Sequence, residues 1–302
     1  MAPRPLKRAA RVSFVAAAGA AVLLCVSSTA LPAHPSTQFR SRVEAVRVDV
    51  LVRNDRGEFQ TGLGASDFEL FDNGRRQPLT GFTSEQPPLC LAFVLDKSSS
   101  MLPFGSGPQL ALEQFIAAMP ASDYIAVGSL TVPGVLNKDR ATLSRQLAAL
   151  PQIETSRVWM GIIWAAEALA GVECRRAVIV ATDGRDTQQA LARAFKLPHT
   201  EQTARTVLRD RMAQLYVIAP RGEITREIWR VSEESGGRAL PLVGSDQLST
   251  VWSEITSELR HQYLLSYTPP ENDGREHDIK VAVRKKGFTV RSRRTYLSPA
   301  AK

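Results

Sequence analysis

Two stretches of the chain, "CLAFVL" over residues 90–95 and "AVIVAT" over 177–182, are apolar at almost every position. A strand with one wet face alternates polar and apolar residues, so a run without alternation belongs to a sheet covered on both faces. Helical spacing follows between such runs: Leu248, Val251, Ile255 and Leu259 recur at steps of three and four and draw one apolar stripe. Strands are predicted over 90–95, 124–130, 177–182, 215–219 and 238–242, and helices over 109–119, 162–170, 203–214 and 247–261. This alternation describes an α/β domain with a doubly wound, mostly parallel sheet across 88–262.

The flanks read differently. Over 43–53, Val46, Val48, Val50 and Val52 share one face while Arg47, Asp49 and Arg53 take the other, as in a half-buried strand. Asn54 to Gly57 supply turn chemistry, and "DFELFDNGRRQPL" reads as a hairpin around Asn73 and Gly74. Near the other end, "VAVRKKGFTVRSRRTYL" alternates like a strand pair, which favours a solvated hairpin face for its basic clusters, 284–286 and 291–294, over contact with phosphates or an anionic surface. Each flank is near the size, about 40–60 residues, at which independent folding becomes marginal. The two are therefore expected to pack together as one β-rich unit that carries the α/β domain as an insertion. The expected layout is a signal peptide over 1–30, an amino-terminal flank over 31–87, the α/β domain over 88–262 and carboxy-terminal strands over 263–302.

Arg4, Lys7, Arg8 and Arg11 precede an apolar run over 12–26 that ends in "SSTA". A cationic start, a short apolar centre and small residues at Ser28 and Ala30 match a secretory signal cut near Ala30. The run falls short of the roughly 20 residues that a membrane-spanning helix needs. A secreted or periplasmic chain without a membrane span after cleavage is expected, the alternative being an uncleaved anchor. The formal charge of +8 includes the four bases of this segment, which leaves +4 spread over the rest. That mild excess gives no nucleic-acid footprint. Cys90 and Cys174 are left to the exported part, either paired or as two buried thiols.

Ligands of doubly wound sheets gather at the carboxyl ends of the strands. Asp96 ends one apolar strand, with Ser98 and Ser100 in the loop that leaves it, and Asp183 ends another. Two carboxylates and two hydroxyls on one rim are hard oxygen donors of the kind that Mg2+, Mn2+ or Ca2+ take. The competing reading has Asp96 and the serines capping the next helix and bonding the loop. His34, His199, His261 and His277 show no ligand spacing, and neither His nor Glu accompanies the motif as a general base, which argues against a metal-dependent hydrolase. Trp164 fits core packing inside a helix, whereas Trp159, just before that helix, is a candidate for a partner-binding rim.

The pattern Asp96-x-Ser98-x-Ser100 after an apolar strand, with Thr182-Asp183-Gly184 after another, resembles the metal-ion-dependent adhesion site of von Willebrand factor type A domains. The flanks "VDVLVRNDRGEFQTGLGASDFELFDNGRRQPLTGF" and "YLLSYTPPENDGREHDIKVAVRKKGFTVRSRRTYL" are similar to a bacterial, mainly acidobacterial, group of exported proteins related to that domain. The resemblance implies a divalent cation held by Asp96, Ser98, Ser100 and Asp183, with one coordination position left for an acidic side chain of a partner protein. It implies a binding module rather than an enzyme; the alternative is a metal-free structural module of the envelope. The family threonine that completes the site falls near Met160, a thioether unsuited to a hard cation, so Thr155 and Ser156 are the candidate replacements. The family strand order also makes the strands ending at Asp96 and Asp183 neighbours. It thereby brings Cys90 and Cys174 to one end of the sheet, within reach of a disulfide.

Overall fold

The computed structural model describes residues 45–187, 194, 196–219, 224–242, 247–298 and 300, so the expected signal peptide lies outside the described residues. Strand β1, Val46–Asn54, buries Val48, Val50 and Val52 on one face. Asn54 ends it by accepting the amides of Arg56 and Glu58 on Oδ1, both at 3.0 Å, while Gly57 takes φ 77°. β2 (Phe68–Asp72) and β3 (Arg75–Gln77) form the expected hairpin, and Asn73 and Gly74 turn the chain at φ 47° and 76°. β4, Leu79–Thr83, completes the first flank.

The chain then enters β5, Leu89–Leu95, in which every residue is buried. Its successors are α1 (Gly107–Ala118), β6 (Tyr124–Ser129), α2 (Arg140–Ala148), α3 (Val158–Ala168), β7 (Arg175–Ala181) and α4 (Glu201–Asp210). After these come β8 (Gln214–Ala219), α5 (Arg226–Glu234), β9 (Arg238–Pro241) and α6 (Leu248–Arg260). The five strands are all parallel, in the order β6-β5-β7-β8-β9. One face of the sheet packs Leu91, Phe93 and Ile179 against α1, α2 and α6, and the other packs Ala92, Val94 and Val180 against α3, α4 and α5. Both faces are dry, which is why the strands carry no alternation.

The helices depart from the sequence expectation in two respects, while the expected closeness of the two cysteines holds. The helix expected over 203–214 stops at Asp210, because Met212 adopts φ 50° and Gln214 already belongs to β8. Helices α2 and α5 were not expected; α2 buries Leu143 and Leu147, and α5 buries Ile228, Val231 and Ser232. Their amino ends are set by Asp139 and Thr225, whose side chains accept from the amides of Ala141 and Ile228. Cys90 and Cys174 form a disulfide with their Cα atoms 5.8 Å apart.

After α6 the chain adds β10 (Tyr263–Tyr267), β11 (Glu276–Val283), β12 (Phe288–Ser292) and β13 (Thr295–Leu297). These do pack with the first flank, as two four-stranded sheets of order β12-β1-β10-β4 and β13-β11-β2-β3. Val48, Val50, Leu70, Leu265 and Tyr267 lie in the apolar core that the flanks share. The expected pairing of β11 with β12 is corrected: β11 pairs with β2 and β13, and β12 pairs with β1. Alternation marks the buried face of a strand but leaves its partner open.

The second face of β1 meets the α/β domain. Asp49 receives Arg175 at 2.8 Å, and Arg53 reaches Glu258 of α6 at 2.8 Å. Glu258, 1% exposed, also receives Arg238 at 2.9 Å and Arg291 of β12. Burial pushes its carboxyl up, but Arg291, Arg238 and Arg53 more than offset this and hold it below the usual range. So Arg291, expected on a solvated face, is a junction residue; Arg293 is buried too, while Arg284 and Lys285 form surface pairs with Glu69 and Asp67. Phe59 stacks on His261 across the same junction with centroids 4.6 Å apart.

Removing Glu258 leaves three guanidinium groups crowded together with only the partly exposed Glu254, which reaches Arg238 and Arg53, as counter-charge. Glu258→Ala is expected to cost about 3–5 kcal/mol, the range for breaking a buried ion pair, in a denaturant titration of the full chain.

Candidate functional site

β5 and β7 pair in parallel with Leu95 opposite Ala181, and the Asp96 amide donates to the Ala181 carbonyl at 2.9 Å. The two loops therefore leave the sheet side by side. After β5 the chain goes outward to β6 and returns across to β7, so this rim is the point where the winding reverses. Asp96 and Asp183 are both brought here, and both are buried, 5% and 3% exposed.

Asp96 is the hub. Its Oδ1 accepts the Ser98 amide at 2.8 Å, and its Oδ2 accepts the hydroxyls of Thr182 at 2.6 Å and Ser156 at 3.2 Å. The Ser98 and Ser100 hydroxyls lie 3.1 Å apart at the start of a 3₁₀ turn over Ser99–Phe104. Ser98 is the residue at the amino end of this turn, yet its side chain makes no capping bond there. The loop-bonding half of the competing reading is present in the Asp96–Ser98 bond; capping by Ser98 is not.

Asp183 accepts the Arg185 amide on Oδ1 at 3.2 Å, while its Oδ2 is buried without a hydrogen-bond partner. A buried carboxylate oxygen left unmatched is costly. Burial raises the Asp96 carboxyl above the usual range and the nearby Asp183 charge adds to this, against the bonds from Ser98 and Thr182. Lys97 supplies no relief, since its Nζ donates to Gln109 at 2.9 Å. Two carboxylates, an unmatched oxygen and adjacent hydroxyls are donors that fit a hard divalent cation. Among the described residues, no group of three or more His, Cys, Asp or Glu side chains is placed to hold a metal. Any cation here depends on hydroxyls for the rest of its protein donors.

The third loop, ahead of α3, supplies Ser156. Of the two candidate replacements it is Ser156, not Thr155, that bonds Asp96. The loop is held in place by Thr187, which accepts the Ser156 amide at 3.2 Å and donates to its carbonyl at 3.1 Å, and by Ile153, whose amide donates to the Lys97 carbonyl at 3.0 Å. Asp186 receives the Trp159 amide at 3.2 Å in the first turn of α3. Met160 sits in that turn, half-buried.

Trp159 is not on a rim. α3 begins at Val158, earlier than the expected 162, so Trp159 is helical and its ring is buried against the sheet, 2% exposed. Trp164 packs on the same core and donates Nε1–H to the Ser129 carbonyl at 2.9 Å. Thr182 and Thr187 were missed. Thr182 could have been found as the strand-end hydroxyl adjoining Asp183, whereas nothing in the sequence marks Thr187.

No family model matches the chain, and no curated protein matches it. Among solved structures, proximal thread matrix protein 1 from the mussel byssus aligns at 15% identity and a TM-score of 0.46 over 62% of this chain and 49% of its own. A second structure of that protein, described with a zinc-occupied MIDAS motif, aligns at 14% identity and a TM-score of 0.45. The vWF domain of the type V pili tip protein Mfa5 from Porphyromonas gingivalis aligns at 12% identity and a TM-score of 0.43, over 57% of this chain and 95% of that domain. The ArnB paralog VWA2 from Sulfolobus acidocaldarius aligns at 11% and 0.42, over 84% and 76%. The chain thus spans about half the length of the mussel protein. Likenesses of this size say nothing of activity, and the α/β assignment stands on the strand order and the two dry faces described above.

Asp96 has a direct pH signature. Its folded-state carboxyl lies above the unfolded value, so protonation favours the folded state, and stability is lost as pH rises from the ordinary carboxylate range through the raised value. Asp96→Asn keeps the shape, and the hydroxyls of Thr182 and Ser156 can turn to accept from the new amide. In a chelator, Asp96→Asn is expected to melt above the parent at pH 7, with the gap closing below about pH 4.

Proposed function

We propose that the chain is an exported protein-binding module in which Asp96, Ser98, Ser100 and Asp183, with Ser156 in support, hold a divalent cation of the Mg2+, Mn2+ or Ca2+ type. The observation that carries this reading is Asp183 Oδ2, a buried carboxylate oxygen without a partner beside a second buried carboxylate. A cation supplies the missing partner and offsets the repulsion between the two acids. When bound, it also offers a coordination position to an acidic side chain from a partner protein, a charge-assisted and directional contact. The chain's own residues do the rest: Asp96 fixes the Ser98 loop, and Thr182 and Ser156 hold the Asp96 carboxylate in place.

Export is supported by the basic and apolar start of the chain and by the Cys90–Cys174 disulfide, a bond suited to an oxidising compartment. No described helix is long and apolar enough to cross a membrane. The flanking strands support placement among the bacterial exported proteins that they resemble. A hydrolytic role has less support, because among the described residues neither His nor Glu is hydrogen-bonded to Asp96, Ser98, Ser100 or Asp183 to act as a base.

Thermal melting in Mg2+ or Mn2+ tests the cation. Metal at about 100 times its Kd stabilises the fold by ~2.7 kcal/mol, reversed by chelator. Asp96→Asn abolishes the response and Ser156→Ala weakens it. Met160→Thr leaves it unchanged, since the third loop already provides its hydroxyl. A melting curve indifferent to every divalent ion would leave the rim a structural element.

A further inference from the structure

The opposite end of the parallel sheet holds a second concentration of chemistry. A cleft of about 380 Å³ opens where β1 and β10 of the sandwich meet the amino end of β7. Its walls include Pro87 and Pro88, through which the chain enters the α/β domain, together with Met212 and Leu264. Its charged lining is Arg47 and Asp49 of β1, Arg175 and Arg176 of β7, and Glu173, so arginines outnumber carboxylates three to two.

Neither Arg47 nor Arg176 is matched. Asp49, which lines the cleft, is engaged by Arg175 at 2.8 Å, and among the described residues no carboxylate lies within ion-pair reach of Arg47 or Arg176. Arg176 donates to the carbonyls of Val172 at 2.7 Å and Arg211 at 3.1 Å, while its Nε is buried without an acceptor. Burial, then Arg47, then Arg211 lower its pKa, and the charges of Asp49 and Glu173, which line the same cleft, counter them only in part. A half-buried guanidinium with like charges beside it is stabilised by an incoming anion. The cleft volume falls within the range of small-molecule sites, about 300–1,000 Å³, and its Pro, Met and Leu surfaces suit an apolar body behind the charged head.

We propose that this cleft binds a small organic oxyanion, a carboxylate or phosphate monoester on an apolar body, held by Arg47 and Arg176. The site is separate from the rim at Asp96: Arg176 and Ala181 lie near opposite ends of β7. The Cys90–Cys174 disulfide borders the cleft and ties β5 to its wall.

The test is calorimetric titration of the full chain, in chelator, with phenyl phosphate, benzoate and neutral benzyl alcohol. Saturable binding of at least one anion, with none of the alcohol, is expected, and the tighter anion identifies the head group. Arg47→Gln and Arg176→Gln should each weaken binding about tenfold or more, and Asp96→Asn should leave it unchanged. Because Arg176 also bonds two carbonyls, its variant is judged only if its melting curve matches the parent; otherwise Arg47→Glu, on the exposed side of β1, decides. No saturable binding of either anion at millimolar concentration overturns the proposal. So does binding that survives both arginine variants, or binding that is lost in Asp96→Asn. Since chelator is present throughout, these outcomes are independent of whether the rim holds a cation.

Discussion

The in-register parallel pairing of β5 with β7 is the constraint on which the candidate site depends. It carries Asp96 and Asp183 out of the sheet together and leaves both buried at the point where the winding reverses. Two buried carboxylates on one rim repel each other and lose hydration, a cost the fold accepts without placing the Lys97 ammonium between them. What it provides instead is a set of short hydroxyls. Thr182 and Ser156 satisfy one oxygen of Asp96, the Ser98 amide satisfies the other, and Asp183 keeps one oxygen unmatched. The rim thus keeps a buried carboxylate oxygen unmatched beside a second buried carboxylate, the feature on which the proposed cation site rests.

The rest of the molecule holds that sheet on a second body. β1 works on both faces: its valines fill the sandwich core, and Asp49 and Arg53 reach into the α/β domain. Glu258 gathers Arg53 and Arg291 from the sandwich and Arg238 from the sheet around one buried carboxylate. A comparable group stays inside the sandwich, where Asp72 accepts from Tyr267 and Tyr296 at 2.8 Å each and pairs with His277 Nδ1 at 2.7 Å. The second imidazole nitrogen meets Asp273 at 3.1 Å, so both nitrogens face carboxylates and the His277 pKa is raised even though burial opposes it.

How much of this could be read from the sequence depends on whether a feature is local. The apolar runs of β5 and β7 announced a covered parallel sheet because burial on both faces leaves no place for polar residues. The valine alternation of β1 likewise fixed its buried face. Partnership was not legible: β11 and β12 read as one hairpin, yet each closes a different sheet, a choice made by the free edges of β1 and β2 far away in the chain. In the site, Asp96, Ser98, Ser100 and Asp183 were visible as strand-end residues. Ser156 was only one of two candidates, since the course of the loop ahead of α3 is set by Thr187 and Ile153 through tertiary bonds. Trp159 was misplaced because starting α3 four residues too late turned a core ring into a loop residue.

The central claim is that a cation completes the rim between β5 and β7, and anomalous scattering from crystals grown with Mn2+ tests it most directly. The claim requires one strong peak in direct contact with the Ser98 and Ser100 hydroxyls and beside the carboxylates of Asp96 and Asp183, absent from crystals of Asp96→Asn. A peak elsewhere on the protein, or none in well-ordered crystals at saturating Mn2+, contradicts it.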